Sequence, residues 1–168
     1  MDVIREKGFY GTTLEDVARR AGMTRGAIYG NFEDKDDLFR AVVETRWRPV
    51  APLKHGATLK EHVRLVGAAV VAAVPARRAQ ALGALSFQIY ALTHDEMRSR
   101  IALVNAALYR RAAERLEQHV PASELPMPAE EFVRVLHAMT DGLLLLRFLQ
   151  PELITDDLIL KAFDALAS

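Results

Sequence analysis

The chain has 168 residues, 51% of them hydrophobic, and its 22 basic side chains are balanced by 22 acidic ones. This composition allows a core in one domain or two small ones, and it excludes a protein that binds nucleic acid through bulk positive charge alone. The absence of cysteine excludes disulfides, and no apolar run approaches the roughly 18 residues of a membrane span. We therefore expect a soluble cytoplasmic protein without a membrane segment.

Residues 12–29 predict two short helices joined by a tight turn. Thr13 is followed three residues later by an aspartate, a typical helix start, and Gly22 stands where a helix end requires a positive φ. Thr24 then caps the second helix. The residues expected to face inward are Leu14, Val17, Ala18, Ala21, Ala27 and Ile28. Such a pair is either a helix-turn-helix that presents its second helix to a DNA groove or an ordinary αα-corner.

A resemblance to the TetR/AcrR family of transcription regulators extends over residues 8–38, which read GFYGTTLEDVARRAGMTRGAIYGNFEDKDDL. The matching positions include Gly8-Phe9, Thr12-Thr13, Ala18, Ala21-Gly22, Thr24-Arg25-Gly26, Ile28-Tyr29, Phe32, Lys35 and Leu38. The resemblance implies an all-α fold. It also implies an N-terminal three-helix helix-turn-helix DNA-binding domain, residues 1–47, and a C-terminal helical ligand-binding and dimerisation domain, residues 48–168.

The resemblance further implies which side chains contact DNA, namely Thr13, Thr24, Arg25, Gly26, Tyr29, Asn31 and Lys35. Arg25 is the candidate for reading a base, because a guanidinium can contact guanine O6 and N7 together, whereas Tyr29 and Thr13 would contact phosphates. The family usually has histidine in place of Asn31, and its first helix usually runs several turns before Gly8. Residues 1–47 carry eight basic and nine acidic side chains, so the motif and not the charge predicts DNA binding.

Beyond residue 34 the sequence predicts long helices and no strand. Asp34 is placed to cap a helix that runs to about residue 48, before Pro49 and Pro52. Thr58 and Thr93 each precede a glutamate by three residues, which predicts a capping box at the start of two later helices. The later helices are predicted over residues 58–75, 76–92, 93–119, 128–150 and 155–167, with an irregular loop at 121–127.

The last two predicted helices are apolar on nearly every side, so one face alone cannot bury them. They are either central helices of a monomer or half of a four-helix homodimer interface. We favour the homodimer, because a terminal pair of helices is poorly placed to be surrounded. The expected interface residues are Leu143, Leu146, Phe148, Leu158 and Phe163. A two-fold dimer would place its recognition helices on successive turns of a palindromic double-stranded operator.

The middle helices carry polar side chains in columns on otherwise apolar faces. These columns indicate core hydrogen bonds, solvent-facing positions or the lining of a cavity. The candidate lining residues are Phe87, Tyr90, His94, Asn105, Tyr109, His137 and Asp141. A mixed lining of this kind suits a small, mostly apolar effector with a few polar groups.

The sequence does not predict an enzyme, a cofactor or a metal site. Its five histidines lack HExxH spacing, there is no Glu-x-x-His pair, and there is no glycine-rich phosphate loop. The helix-turn-helix motif and the resemblance to the TetR/AcrR family imply a ligand-responsive, sequence-specific DNA-binding regulator, in particular a repressor that a small molecule releases from its operator. The alternative is a helical small-molecule carrier or protein-interaction module that no longer binds DNA.

Overall fold

The computed structural model describes residues 2–8, 11–38, 41, 56–78 and 81–167, which contain eight α-helices, one 3-10 helix and no strand. The α-helices are α1 (Asp2–Lys7), α2 (Leu14–Ala21), α3 (Arg25–Asn31), α4 (Leu59–Arg78), α5 (Ala81–Thr93), α6 (Asp95–Glu117), α7 (Ala129–Leu149) and α8 (Asp156–Ala165). The 3-10 helix, Ala122–Glu124, lies between α6 and α7. The all-α prediction is confirmed.

The chain divides into two compact units. The first unit comprises residues 1–48 and 78–105, and the second comprises residues 49–77 and 106–168. The first unit thus contains α1, α2, α3, α5 and the start of α6. The predicted boundary at residues 47–48 lies outside the described residues and stays a prediction.

The first unit has its core between α2 and α3. Leu14, Ala18 and Ile28 are buried there, with Val17 and Phe32 packed against them. Helix α1 contacts both α2 and α5. Two residues that were expected to face inward, Ala21 and Ala27, are exposed. That expectation was wrong because helices this short bury only the narrow stripe around Ala18 and Ile28.

The second unit has two groups of buried apolar side chains. One group consists of Leu59, Val63, Ala113, Leu116, Val120, Ala129, Phe132 and Val133. The other consists of Val70, Leu144, Ile159 and Phe163 and joins α4, α7 and α8. At the edge of this second group, Arg64 on α4 donates to both carboxylate oxygens of Asp164 on α8, at 2.7 and 3.3 Å.

Several predicted helix boundaries are confirmed. The Thr58 capping box is present, because the Thr58 N–H donates to Glu61 Oε2 at 2.8 Å and the Glu61 N–H donates to Thr58 Oγ1 at 3.3 Å. The Asp34 cap is also present, with the Asp37 N–H donating to Asp34 Oδ1 at 2.7 Å. The helix that it opens is described only at residues 35–38 and 41. The remainder of this helix lies outside the described residues, and so do Phe9, Pro49 and Pro52.

Two other boundary predictions are wrong. Pro75 lies inside α4, which continues to Arg78, so the proline does not end the helix. Thr93 is the last residue of α5 and not the cap of α6. Its hydroxyl donates to the carbonyl oxygen of Tyr90 at 3.0 Å, and α6 begins two residues later, at Asp95. Thr93 is itself a helical residue of α5, whereas a capping residue has extended backbone angles and directly precedes the helix that it opens.

Among the helices that the structure describes, none alone is long and apolar enough to cross a membrane. Leu59–Arg78 and Gly83–Thr93 reach the required length and hydropathy only when they are taken together.

Candidate nucleic-acid interface

Three local features set the start of α2, the end of α2 and the start of α3. The Asp16 N–H donates to Thr13 Oγ1 at 3.1 Å, and the Thr13 N–H donates to Asp16 Oδ2 at 3.2 Å, which completes a capping box. Gly22 ends α2 at a φ of 67°, where a side chain would be strained. Thr24 Oγ1 then accepts from the Ala27 N–H at 3.1 Å and opens α3. The predicted roles of Thr13, Gly22 and Thr24 in the two helices are confirmed.

Asp16 also joins α1 to α2 electrostatically. Its Oδ1 accepts from Lys7 Nζ and from an Arg19 guanidinium nitrogen, both at 2.7 Å. The hydrogen bond from Lys7 is the main reason that the pKa of Asp16 falls from 3.8 to about 2, with further contributions from Thr13. The carboxylate therefore stays charged at any physiological pH and braces the first turn of α2.

Helix α3 is anchored on one side and open on the other. Ile28 is 1% exposed and packs into the core that α3 shares with α2. Arg25, Gly26 and Tyr29 all lie on the exposed part of the helix. The short helix therefore offers its N-terminal turn and one flank to a partner while its buried side chain fixes its position.

A cluster of three side chains covers this flank. The Tyr29 hydroxyl donates to Glu15 Oε1 at 2.7 Å, and Arg25 Nε lies 3.5 Å from the same oxygen. The Arg25 guanidinium carbon lies 5.6 Å from the centroid of the Tyr29 ring, within cation–π range. The hydrogen bond between Glu15 and Tyr29 lowers the pKa of Glu15 and raises the pKa of Tyr29. We call Glu15, Arg25 and Tyr29 the recognition cluster.

The motif in the sequence points to Arg25 and Tyr29 but gives no signal for Glu15. The glutamate lies fourteen residues before Tyr29 and on a different helix, so no spacing rule pairs the two. Only the angle between α2 and α3 brings them together. An acidic residue in the first turn of a helix also suits the positive end of the helix dipole, so its type alone does not single it out.

The two remaining DNA-binding candidates lie after the exposed flank of α3. Asn31 is the last residue of α3, and its side-chain amide donates to the carbonyl oxygen of Ala27 at 2.7 Å. Lys35 Nζ lies 5.7 Å from the centroid of the Tyr90 ring on α5. The neighbouring Asp36 has a raised pKa, mainly because it is partly buried and close to Asp34.

The basic side chains around the motif are paired with carboxylates of the same unit. Arg19 contacts Asp16, Arg20 contacts Glu6 and Arg25 contacts Glu15. A DNA phosphate approaching these arginines would therefore compete with protein carboxylates. This pairing is the structural counterpart of the balanced charge of residues 1–47.

The seven predicted effector residues fall into two groups. Phe87, Tyr90, His94 and Asn105 belong to the first unit, whereas Tyr109, His137 and Asp141 belong to the second. In the first group Phe87 is buried, and the rings of Tyr90 and His94 stack with their centroids 3.9 Å apart.

In the second group, a hydrogen bond joins Tyr109 to His137, and the Asp141 carboxylate lies close to the same imidazole. Tyr109 Oη lies 2.7 Å from His137 Nδ1, and His137 Nε2 lies 3.2 Å from Asp141 Oδ2. Partial burial is the main cause of the raised pKa of Tyr109, and the nearby negative charge of Asp141 adds to it.

The five predicted dimer residues differ in exposure. Phe163 is fully buried in the core of its own chain, so it cannot contact a second copy, and its assignment to an interface was wrong. Leu143 and Phe148 are partly buried against the same core. Leu146 and Leu158 are 41% and 40% exposed.

Helix α7 also carries an exposed stripe of apolar and small residues, which we call the α7 stripe: Val135, Ala138, Gly142, Leu146 and Leu149. Apart from Gly142, its two chain neighbours and the adjacent backbone of α7, no atom of the described residues lies within 4 Å of the position that a Cβ on Gly142 would occupy, so the centre of the stripe is open.

Comparison with known proteins decides the family. Residues 1–42 match the model described as "Bacterial regulatory proteins, tetR family". The HTH-type transcriptional regulator BetI of Paraburkholderia phymatum is 30% identical over 153 residues, which cover 83% of this chain and 72% of BetI. This chain belongs to the TetR family. Members of this family are transcriptional regulators and not enzymes, which confirms the prediction that the chain is not an enzyme.

Other TetR-family relatives match over the motif alone. The HTH-type transcriptional repressor BepR of Brucella suis is 49% identical over 41 residues, which cover 24% of this chain but only 20% of BepR. The match thus spans about a fifth of that relative's length. A transcriptional regulator from Rhodococcus sp. Rha1 has the same fold, with a TM-score of 0.70 and 23% identity over 99% of this chain and 88% of that one.

Proposed function

We propose that this TetR-family member is a sequence-specific DNA-binding repressor that a small, mostly apolar molecule releases from a palindromic operator. The observation that carries the proposal is the exposed flank of α3, where Arg25, Gly26 and Tyr29 face solvent while Ile28 holds the helix in place. In helix-turn-helix proteins the N-terminal residues of the second helix contact base edges. Arg25 is the first residue of α3 and occupies that position.

The capping contacts are compatible with DNA contacts by the same residues. A hydroxyl that accepts from a backbone N–H still has its own hydrogen to donate, so Thr13 and Thr24 can cap their helices and also donate to phosphates. Asn31 has a second amide hydrogen besides the one bonded to Ala27. Gly26 has no side chain to keep a phosphate away from the backbone. We assign these roles, and a charge contribution from Lys35, to the DNA complex.

We propose that the α7 stripe forms the centre of a homodimer interface. Its small residues, Ala138 and Gly142, allow a helix from a second copy to approach closely, and Leu146 adds apolar surface. We assign the exposed Leu158 on α8 to the same interface. Leu143 and Phe148 are partly buried against the core, and we propose that they hold the interface helices in position. A two-fold axis would repeat α3 about one helical turn, roughly 34 Å, along the DNA.

We propose that Tyr109, His137 and Asp141 supply the polar contacts of the effector site. The hydrogen-bonded pair Tyr109 and His137, with the Asp141 carboxylate close to the imidazole, offers both donors and acceptors next to the buried apolar cluster that Tyr109 touches. We propose that four residues of the first unit transmit effector binding to the helix-turn-helix: Phe87, Tyr90, His94 and Asn105. The supporting observation is the cation–π distance between Tyr90 on α5 and Lys35, which lies at the start of the helix after α3. A coupling free energy of about 1–3 kcal/mol would change operator affinity roughly 5- to 150-fold.

Selection of duplexes from a random-sequence pool by the purified protein tests the DNA-binding part of this proposal. We expect a palindromic consensus, recovered in a gel shift as one dimer on one duplex. A small-molecule library screened by thermal shift then supplies ligands, and those that stabilise the protein should weaken binding to the selected duplex. A chain that enriches no sequence but still binds small molecules would instead be a helical carrier.

A further inference from the structure

One carboxylate oxygen in the recognition cluster binds both of the principal DNA-contacting side chains. Glu15 Oε1 accepts from the Tyr29 hydroxyl at 2.7 Å and lies 3.5 Å from Arg25 Nε. The cluster is open to solvent, since the side chains of Glu15 and Arg25 are 39% and 78% exposed. A molecule that approaches α3 therefore meets a Tyr29 hydroxyl and an Arg25 Nε that already face Glu15.

The oxygen of Glu15 is chemically similar to the oxygens that DNA offers. Carboxylate and phosphate oxygens are both anionic acceptors, and a guanidinium or phenol donates to either. The Tyr29 hydroxyl has a single hydrogen, so a bond that it donates to DNA must replace its bond to Glu15, and a DNA contact by Arg25 Nε must replace the ion pair with Glu15. When DNA replaces Glu15 as the acceptor, the Glu15 carboxylate stays on the same face, where its negative charge repels a nearby phosphate at short range.

This exchange affects random DNA and an operator differently. Non-specific binding comes almost wholly from cations that move onto whichever phosphate is near. Glu15 restrains Arg25 from such movement while the Tyr29 ring lies within cation–π range of the guanidinium. A correct site adds a bidentate base contact, which compensates for the lost carboxylate and which a random site does not supply.

We infer that Glu15 is a specificity-determining residue, an internal competitor for DNA that weakens binding to random sequence more than binding to the operator. This inference rests on the proposed function of Arg25 and Tyr29 as DNA contacts. The inference also accounts for the other arginines of the first unit that pair with carboxylates. These pairs leave the helix-turn-helix nearly neutral, so its affinity for DNA depends on base contacts.

Glu6 provides a matched control. It is also an acidic residue of the first unit, it also pairs with an arginine, Arg20, and its side chain is 50% exposed. It lies on α1, whereas the three residues of the recognition cluster lie on α2 and α3. Glu6→Gln therefore removes one negative charge from the unit, as Glu15→Gln does, without releasing the recognition cluster.

The test measures dissociation constants by fluorescence anisotropy for wild type, Glu15→Gln and Glu6→Gln. The probes are the duplex that the wild type selects from a random pool and a scrambled duplex of equal length, each over a salt series. We expect Glu15→Gln to tighten binding to the scrambled duplex about three- to fivefold and to the selected duplex less, so that the specificity ratio falls. Glu6→Gln should leave that ratio unchanged.

Two results would overturn the inference and leave the proposed function standing. One is an equal effect of Glu15→Gln and Glu6→Gln on both duplexes, and the other is weaker binding of both duplexes by Glu15→Gln. If the wild type selects no duplex and binds neither probe, the proposed function fails and the inference fails with it. Glu15→Ala, which keeps a good helix former in α2, must reproduce the result at an unchanged melting temperature. Spectroscopic titration should also find a lower pKa for Tyr29 in Glu15→Gln than in wild type.

Discussion

Gly67 and Phe163 determine how closely α4 and α8 approach. A Cβ on Gly67 would lie 3.1 Å from both Cβ and Cγ of Phe163, and Phe163 has no exposed surface into which it could move. We expect Gly67→Ala to lower the free energy of unfolding by about 1–2 kcal/mol, because overpacking outweighs the gain in helix propensity. Urea unfolding followed by circular dichroism measures this change.

A double-mutant cycle controls the Gly67 prediction. Phe163→Leu alone should destabilise the chain by removing buried volume, but in combination with Gly67→Ala the two losses should be less than additive. Strictly additive losses would show that the alanine does not press against Phe163.

Arg147 closes the connection between α7 and α8. Its guanidinium donates to the carbonyl oxygens of Pro151 and Ile154, at 2.6 and 2.8 Å, and to Asp156 Oδ1 at 2.8 Å. A lysine cannot reach three acceptors in this fork geometry, so Arg147→Lys should cost about 1–3 kcal/mol in the free energy of unfolding. Arg134, whose ion pair with Glu130 one turn away is exposed, is the control. Arg134→Lys should cost less than about 0.5 kcal/mol. Equal costs would refute the role of Arg147.

Acid should weaken the first unit through Asp16. The folded-state pKa of this carboxyl is about 2, below its ordinary value of 3.8, so ionised Asp16 favours the folded state above pH 3.8. That contribution is lost as the pH falls from about 4 through 2. We expect Asp16→Asn to be less stable than wild type at pH 6 and the difference to shrink as the pH approaches 2. Thermal melts across this range measure it, and a difference that is constant with pH would contradict the assignment.

The α7 stripe should control assembly. Ala138→Glu places a charge at its centre, and we expect dimerisation to weaken at least tenfold, or about 1.4 kcal/mol, because the charge would be buried without a partner. Ser99→Glu puts the same charge on an exposed position of α6 and should leave the dimer intact. Analytical ultracentrifugation measures both variants. A wild-type chain that remains monomeric at the concentrations used for DNA binding would refute the interface.

Local rules predicted the helix-turn-helix well. The caps at Thr13 and Thr24 and the positive φ of Gly22 depend on residues no more than four positions away, so the sequence contains all the information they need. Thr93 shows the limit of such rules, because its hydroxyl had two possible partners and bonded to the preceding helix.

Contacts between distant elements could not be predicted in this way. The bond from Tyr29 to Glu15 depends on the angle between two helices. Phe163 was expected at a dimer interface because an apolar helix indicates burial without saying what covers it. Here its own chain covers it, through α4. For the same reason, the columns of polar residues on the middle helices did not reveal that Tyr90 and Tyr109 belong to different compact units.

The most direct test of the central claim, that the exposed flank of α3 reads DNA, is the affinity of Arg25→Ala for the selected duplex and each of its single-base variants. We expect a loss of about 1–3 kcal/mol on the selected duplex and loss of discrimination at one base pair per half-site. A uniform loss over all sequences would make Arg25 a phosphate contact and not a base reader. Unchanged affinity and unchanged base preference would contradict the claim.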